Sequence, residues 1–143
     1  MTGILDGLPT WALSAAATRS HQILQRRLNE AGATGYEYRC LTSLADHDGV
    51  SQAALGTMTS LDPRDVTHTV RALEARGLVG RAADPTHGRR VLVSLTPDGR
   101  VAAAALVEVM SAVQDEVFAQ LDGEERAHLL RLLAKTARTE PPA

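Results

Sequence analysis

Arg64, Asp65, Thr67, His68 and Arg71 crowd into one short stretch, and Arg89 and Arg90 follow a little further on. A guanidinium offers a planar fork of donors that fits a phosphate or the edge of a guanine, and a hydroxyl or imidazole adds a smaller polar contact. This is chemistry for gripping a partner. The sequence offers nothing comparable for catalysis: no Ser-His-Asp spacing, no glycine-rich phosphate loop and no paired carboxylates stand out. The histidines at 21, 47, 68, 87 and 128 are scattered without a His-x₃-His pair, and there is one cysteine. No metal site and no cofactor is expected, and the chain does not read as an enzyme.

The element that must hold the first five residues is a helix over residues 62–76. Asp62 is its N-cap, Pro63 its first helical residue, and Asp65 follows at capping-box spacing. Arg76 occupies the last turn, and Gly77 is free to take a left-handed conformation beyond it. Val66, Val70 and Leu73 form a narrow apolar stripe that anchors one side. Arg64, Thr67, His68 and Arg71 lie off it.

Around this helix the chain resolves into short punctuated segments. A first long helix is expected over 10–31, with Thr10 as cap, Leu13, Ala17, Leu24 and Leu28 at helical spacing, and Gly32 as stop. A second, over 35–46, places Tyr38, Leu41, Leu44 and Ala45 inward. Ser51 caps a short helix through Met58, with Ala54, Leu55 and Met58 as its apolar contacts, and Ser60-Leu61 forms the turn into the helix at 62. Two short helices about a tight turn make a helix-turn-helix. Residues 78–83 and 91–95 read as strands, and the turn formers of 84–90 join them as a hairpin. A helix-turn-helix followed at once by a hairpin is a winged helix. Thr96 and Pro97 open a further helix over 97–120, with Leu106, Val109, Val113 and Val117 along one seam. Asp122 caps a last helix carrying Leu129, Leu130, Leu132, Leu133 and Ala137. The terminal helices carry more apolar face than so small a lobe needs, so a second copy is expected to cover it.

Composition fits this architecture. At 143 residues the chain suits one domain, with a formal net charge of -2. The charge is uneven: residues 62–100 hold seven arginines and five acids, whereas the remainder holds eight basic and twelve acidic residues. A locally positive middle hints at a polyanion. No apolar run approaches membrane-spanning length, and residues 1–9 lack the regions of a signal peptide, so the cytoplasm is the expected compartment.

The order of elements and the words Leu73-Glu74-x-x-Gly77-Leu78-Val79-x-Arg81, Asp84-Pro85, Arg89 and Leu95-Thr96-Pro97-x-Gly99 resemble the MarR family of bacterial transcription regulators over nearly the whole chain. The resemblance implies a mainly α fold with a small β-hairpin. It also implies a six-helix winged helix-turn-helix homodimer over residues 1–143, with 10–46 and 97–139 for dimerisation and 51–96 as the DNA-binding lobe. The expected function is a ligand-responsive repressor that binds a pseudo-palindromic operator in double-stranded DNA and releases it when a small aromatic or phenolic effector binds.

Carried over by residue, Arg64, Asp65, Thr67, His68 and Arg71 fall on groove-facing positions of the recognition helix, and Arg89, with Arg90 beside it, falls on the wing arginine of the minor groove. Thr67 suits a base, a thymine methyl or a phosphate. Asp65 reads first as part of the cap of its own helix and second as an acceptor for a cytosine amino group. Trp11, Tyr36 and Tyr38 sit on the two helices that wall the family's ligand crevice, where a flat ligand stacks.

Two departures stand out. His87 occupies the place of the acid that usually restrains the wing, which predicts a looser wing. Gly56 stands where alanine is usual, at about 1 kcal/mol to its helix. Two other readings stay open: a dimeric ligand-binding or interaction protein that has lost DNA binding, and a redox-gated regulator using Cys40. The latter competes with Cys40 as a small buried apolar residue.

Overall fold

A computed structural model describes residues 3–138. After a short 3₁₀ turn at Leu5–Gly7 come the helices α1 (Pro9–Glu30) and α2 (Gly35–Ala45), then strand β1 (Val50–Ser51), α3 (Gln52–Thr59) and α4 (Pro63–Ala75). Strands β2 (Val79–Asp84) and β3 (His87–Leu95) follow, and α5 (Pro97–Val117) and α6 (Gly123–Thr136) close the chain. The expected architecture of six helices with a small hairpin is present.

The ends of these elements follow local chemistry, with one correction. Thr10 is not the cap of α1. The helix starts one residue earlier, with Pro9 at its first position and Leu8 as an N-cap that makes no side-chain bond. Proline's fixed φ prepares that position, so it prevails over the hydroxyl behind it. Thr34, Ser51 and Thr96 cap α2, α3 and α5 through side-chain oxygens. Gly32 and Gly77 take left-handed φ of 71° and 74° just past α1 and α4, where a side chain would be strained.

The three strands run antiparallel in the order β1-β3-β2. β1 was not legible beforehand: it consists of two residues and exists only because Val50 and Ser51 pair with Val93 and Leu92. The core joins Leu28 of α1, Cys40, Leu41 and Leu44 of α2, Leu55 of α3, Val66, Val70 and Leu73 of α4, Val93 and Leu95 of β3, and Leu106 of α5. Three expected inward residues are outside it. Ala45, Ala54 and Met58 are exposed, whereas Thr59, off the expected face, is buried, and Cys40 is buried as a small apolar residue would be.

The N-terminal half of α1 and nearly all of α6 lie outside this core. Leu13 is exposed, and α6 has no buried residue. Arg126 anchors α6 at its base, donating to the carbonyls of Phe118 and Leu121 and pairing with Asp115 at 3.1 Å. The body of α1 is tied to α5 by Glu116, which accepts from Arg27 at 2.8 Å and from Arg26. These two guanidiniums, Arg26 first, hold the Glu116 carboxyl below its usual range.

Candidate nucleic-acid interface

The helix-turn-helix is built by α3 and α4 around Ser60, whose left-handed φ of 57° makes the corner. Gly56 lies beneath that corner; a Cβ there would sit 3.4 Å from the Leu61 carbonyl and from Val66, so an alanine would just fit. Val66, Val70 and Leu73 are buried, as is Thr69, and the opposite side of α4 faces outward. There Arg64, Thr67, His68 and Arg71 line one open groove with Pro63. Four of the five expected helix residues are thus brought onto one surface.

Asp65 is half-buried at its edge. It does not complete a capping box. The Asp62 carboxylate accepts the Arg64 N–H at 2.8 Å and closes the turn one residue early, so the return bond from Asp65 is not made. Asp122 and Glu125 show the complete box at the start of α6. Asp65 still lies in the first turn, where the helix dipole favours an acid.

The wing departs from its sequence reading in two ways. The strands run closer to the tip than expected, leaving only Pro85 and Thr86 between them. The register jumps from Ala83 opposite Val91 to Asp84 opposite His87, so Gly88, Arg89 and Arg90 have no partner on β2 and bulge from the ladder. The turn between the strands carries an acid of its own. Asp84 is buried, and its carboxylate accepts both the Thr86 hydroxyl (2.7 Å) and the Thr86 N–H (2.9 Å). Those bonds, with help from the Arg90 charge, hold its carboxyl below the ordinary range. These bonds tie the turn itself and do not reach Arg89, whose stretch is the bulged one.

The arginines divide by engagement. Arg76 pairs with Glu37 of α2 at 2.7 Å, and Arg81 grips Glu74 through two bonds of 3.0 and 3.1 Å. Arg19 donates to the Val117 carbonyl at 2.8 Å. Arg64, Arg71, Arg89 and Arg90 are exposed, and their side chains enter no hydrogen bond or ion pair among the described residues. Gln52, which the sequence reading passed over, completes this surface: its side-chain oxygen lies 3.2 Å from the Thr67 hydroxyl. Its only advance signal was its place directly after the Ser51 cap.

The three aromatic residues are not brought together within the chain. Trp11 is half-exposed on α1, Tyr36 is exposed on the first turn of α2, and Tyr38 packs against the core. Of the three, only Tyr36 lines the cleft of about 480 Å³ that α2 forms with Gln25, His68 and Thr69. Cys40 is fully buried, and burial pushes its thiol up to about 11. That environment suits the packed residue rather than the reactive one.

A capped helix with a free cationic face, set by a helix-turn-helix and followed by a two-arginine hairpin, defines a winged-helix DNA-binding protein. Comparison with known proteins agrees. The MarR family model matches residues 31–90. NicR, an HTH-type transcriptional repressor of Pseudomonas putida, is 31% identical over 123 residues, covering 86% of this chain and 78% of its own. Two solved structures superpose at a TM-score of 0.83 and 26% identity. One, from work on regulation of DNA binding by 6-hydroxynicotinic acid, is BpsR of Bordetella bronchiseptica, covering 98% of this chain and 100% of that one. The other is the repressor CouR of Rhodococcus jostii bound to a 23-mer DNA duplex, covering 96% and 98%. The chain belongs to the MarR family of transcriptional regulators. Among its described residues no helix is long and apolar enough to cross a membrane.

Proposed function

We propose that this protein is a cytoplasmic, homodimeric repressor that binds a pseudo-palindromic operator and is released by a small aromatic or phenolic molecule. The observation that carries the reading is the division among the arginines. A guanidinium left unpaired on one face, while others on the chain are engaged, is available for phosphates and guanine edges. In this reading Arg64, Asp65, Thr67, His68 and Arg71 meet the major groove, and Arg89 and Arg90 meet the flanking minor groove.

The dimer rests on a second observation. Leu5, Leu8, Trp11 and Leu13 at one end of the chain, and Leu130, Leu132 and Leu133 at the other, are exposed apolar residues on the helices that the core leaves uncovered. Residues 10–46 and 97–139 of two copies would bury them and set the two lobes of 51–96 about 34–36 Å apart. An effector near Trp11, Tyr36 and Tyr38 would act by favouring a spacing of the lobes that does not fit DNA. That BpsR is linked to an aromatic acid supports the ligand class.

The test is a gel shift on a duplex selected from random DNA. Replacing Arg64, Arg71 and Arg89 together by Ala should abolish the shift, and wild-type affinity should fall steeply with salt, by about 0.9 log units per log unit of salt for each phosphate contact. An unchanged shift for the triple variant would refute the assignment.

A further inference from the structure

Thr67 stands at the centre of the exposed face of α4. Arg64 lies one turn before it and Arg71 one turn after, both without partners among the described residues. Its hydroxyl is not free as theirs are. It lies 2.9 Å from the Pro63 carbonyl on its own helix and 3.2 Å from the side-chain oxygen of Gln52 on α3. A threonine hydroxyl has one proton. Both neighbours are acceptors, so that proton is spent inside the protein. A phosphate oxygen needs a donor, and Thr67 has none to give. The γ-methyl, by contrast, needs no polar partner, and Thr67 lines the open groove between Arg64 and Arg71 where a base edge would lie.

From this we infer that Thr67 reads the C5-methyl group of a thymine in the major groove, and that Gln52 is the positioning residue that holds it for that contact. The inference rests on the DNA-binding reading above and goes beyond it, because it assigns a base identity between the positions met by Arg64 and Arg71. Apolar contact with the thymine methyl is one of the few ways a side chain without a free donor can discriminate bases. Gln52 contributes from outside α4. Its oxygen offers the single hydroxyl proton a second acceptor 3.2 Å away on α3, in the same χ1 well that serves the Pro63 carbonyl, and so favours that well. It also makes the reading depend on the angle between α3 and α4.

The experiment uses the full-length protein and a duplex selected from random DNA. Each thymine in turn is replaced by uracil, which removes the C5-methyl and leaves the pairing edge unchanged. At one thymine in each half-site the substitution should weaken binding about fourfold, the worth of one methyl withdrawn from an apolar contact, and about fifteenfold when both half-sites carry it. Thr67→Ser keeps the hydroxyl and removes the methyl, so it should bind the thymine and uracil duplexes equally. Thr67→Val keeps a methyl and should still discriminate. Gln52→Ala should reduce the thymine-to-uracil ratio, a readout that a merely structural role would leave alone.

Equal wild-type affinity for every uracil duplex, or discrimination that survives in Thr67→Ser, would overturn the inference while leaving DNA binding intact. A selection that recovers no duplex would overturn the DNA-binding reading and this inference with it.

Discussion

Gly99 is the position where one added carbon should do the most damage. It is the third residue of α5, in the Leu95-Thr96-Pro97-Asp98-Gly99 segment that carries the chain from β3 of the DNA-binding lobe into a long helix. A Cβ there would sit 1.8 Å from the Leu78 carbonyl oxygen, 2.9 Å from its carbon and 3.3 Å from the Leu95 side chain. The obstacle is backbone and cannot rotate away. The same carbonyl accepts the Thr96 N–H at 3.1 Å, and the Thr96 hydroxyl donates to the Gly77 carbonyl at 2.6 Å. Opening the gap to an ordinary contact therefore strains the junction between the end of α4 and the start of α5. Overpacking costs about 1–3 kcal/mol and a weakened hydrogen bond about 1 more, against a gain of at most about 1 kcal/mol from replacing a helical glycine by alanine. The net expectation for Gly99→Ala is a loss of about 1–3 kcal/mol, or roughly 3–10 °C in Tm. Thermal unfolding at one fixed protein concentration measures it. Gly123→Ala is the control, because nothing lies within 4 Å of a Cβ there, and it should leave Tm within a few degrees of wild type. If Gly99→Ala is as stable as Gly123→Ala, the close approach at Leu78 is not a constraint and the reasoning fails.

Two further expectations concern titratable groups. The Asp84 carboxyl titrates below its ordinary 3.8 when folded, so the unfolded chain takes up its proton first as pH falls. Its contribution to stability should be constant above that range and shrink as pH falls through the window beneath it; urea titrations of wild type and Asp84→Ala should therefore differ by a constant amount at neutral pH and converge in acid. Convergence in the opposite direction would exclude the Thr86 tie as its cause. Cys40 is fully buried with its thiol near 11, so iodoacetamide at pH 8 should label it in urea and leave it untouched in the native protein. Fast native labelling would instead revive a redox role.

The fold was readable where local chemistry and side-chain period agree. Val66, Val70 and Leu73 recur at helical spacing between an aspartate cap and a glycine stop, and all three are buried as that spacing demands. The motif from Leu95 to Gly99 could be recognised in the sequence, but its reason could not: Gly99 is needed because the Leu78 carbonyl, twenty-one residues earlier, lies where a Cβ would go. Misreadings clustered where a partner from elsewhere in the chain decides the outcome. β1 exists only against β3, and Met58, apolar at helical spacing, lies on the side of α3 that the core leaves exposed.

The candidate site divides in the same way. The residue types of Arg64, Thr67, His68 and Arg71 and their spacing along one helix face are properties of the sequence, since 3.6 residues per turn places them together in any helix. Which of them remain free to act is not. Arg76 and Arg81 are arginines of the same stretch, and only the packing of α4 against α2 and β2 brings Glu37 and Glu74 within reach to neutralise them. Thr67 looks as free as its neighbours until α3 folds back and sets Gln52 beside its hydroxyl. The sequence by itself determined a capped helix, its polar face and the hairpin after it, because caps and periodicity act over a few residues. The tertiary structure alone decided which cations stay unpaired and that Gln52 stands beside the Thr67 hydroxyl, because those contacts are made between elements whose approach no local pattern encodes.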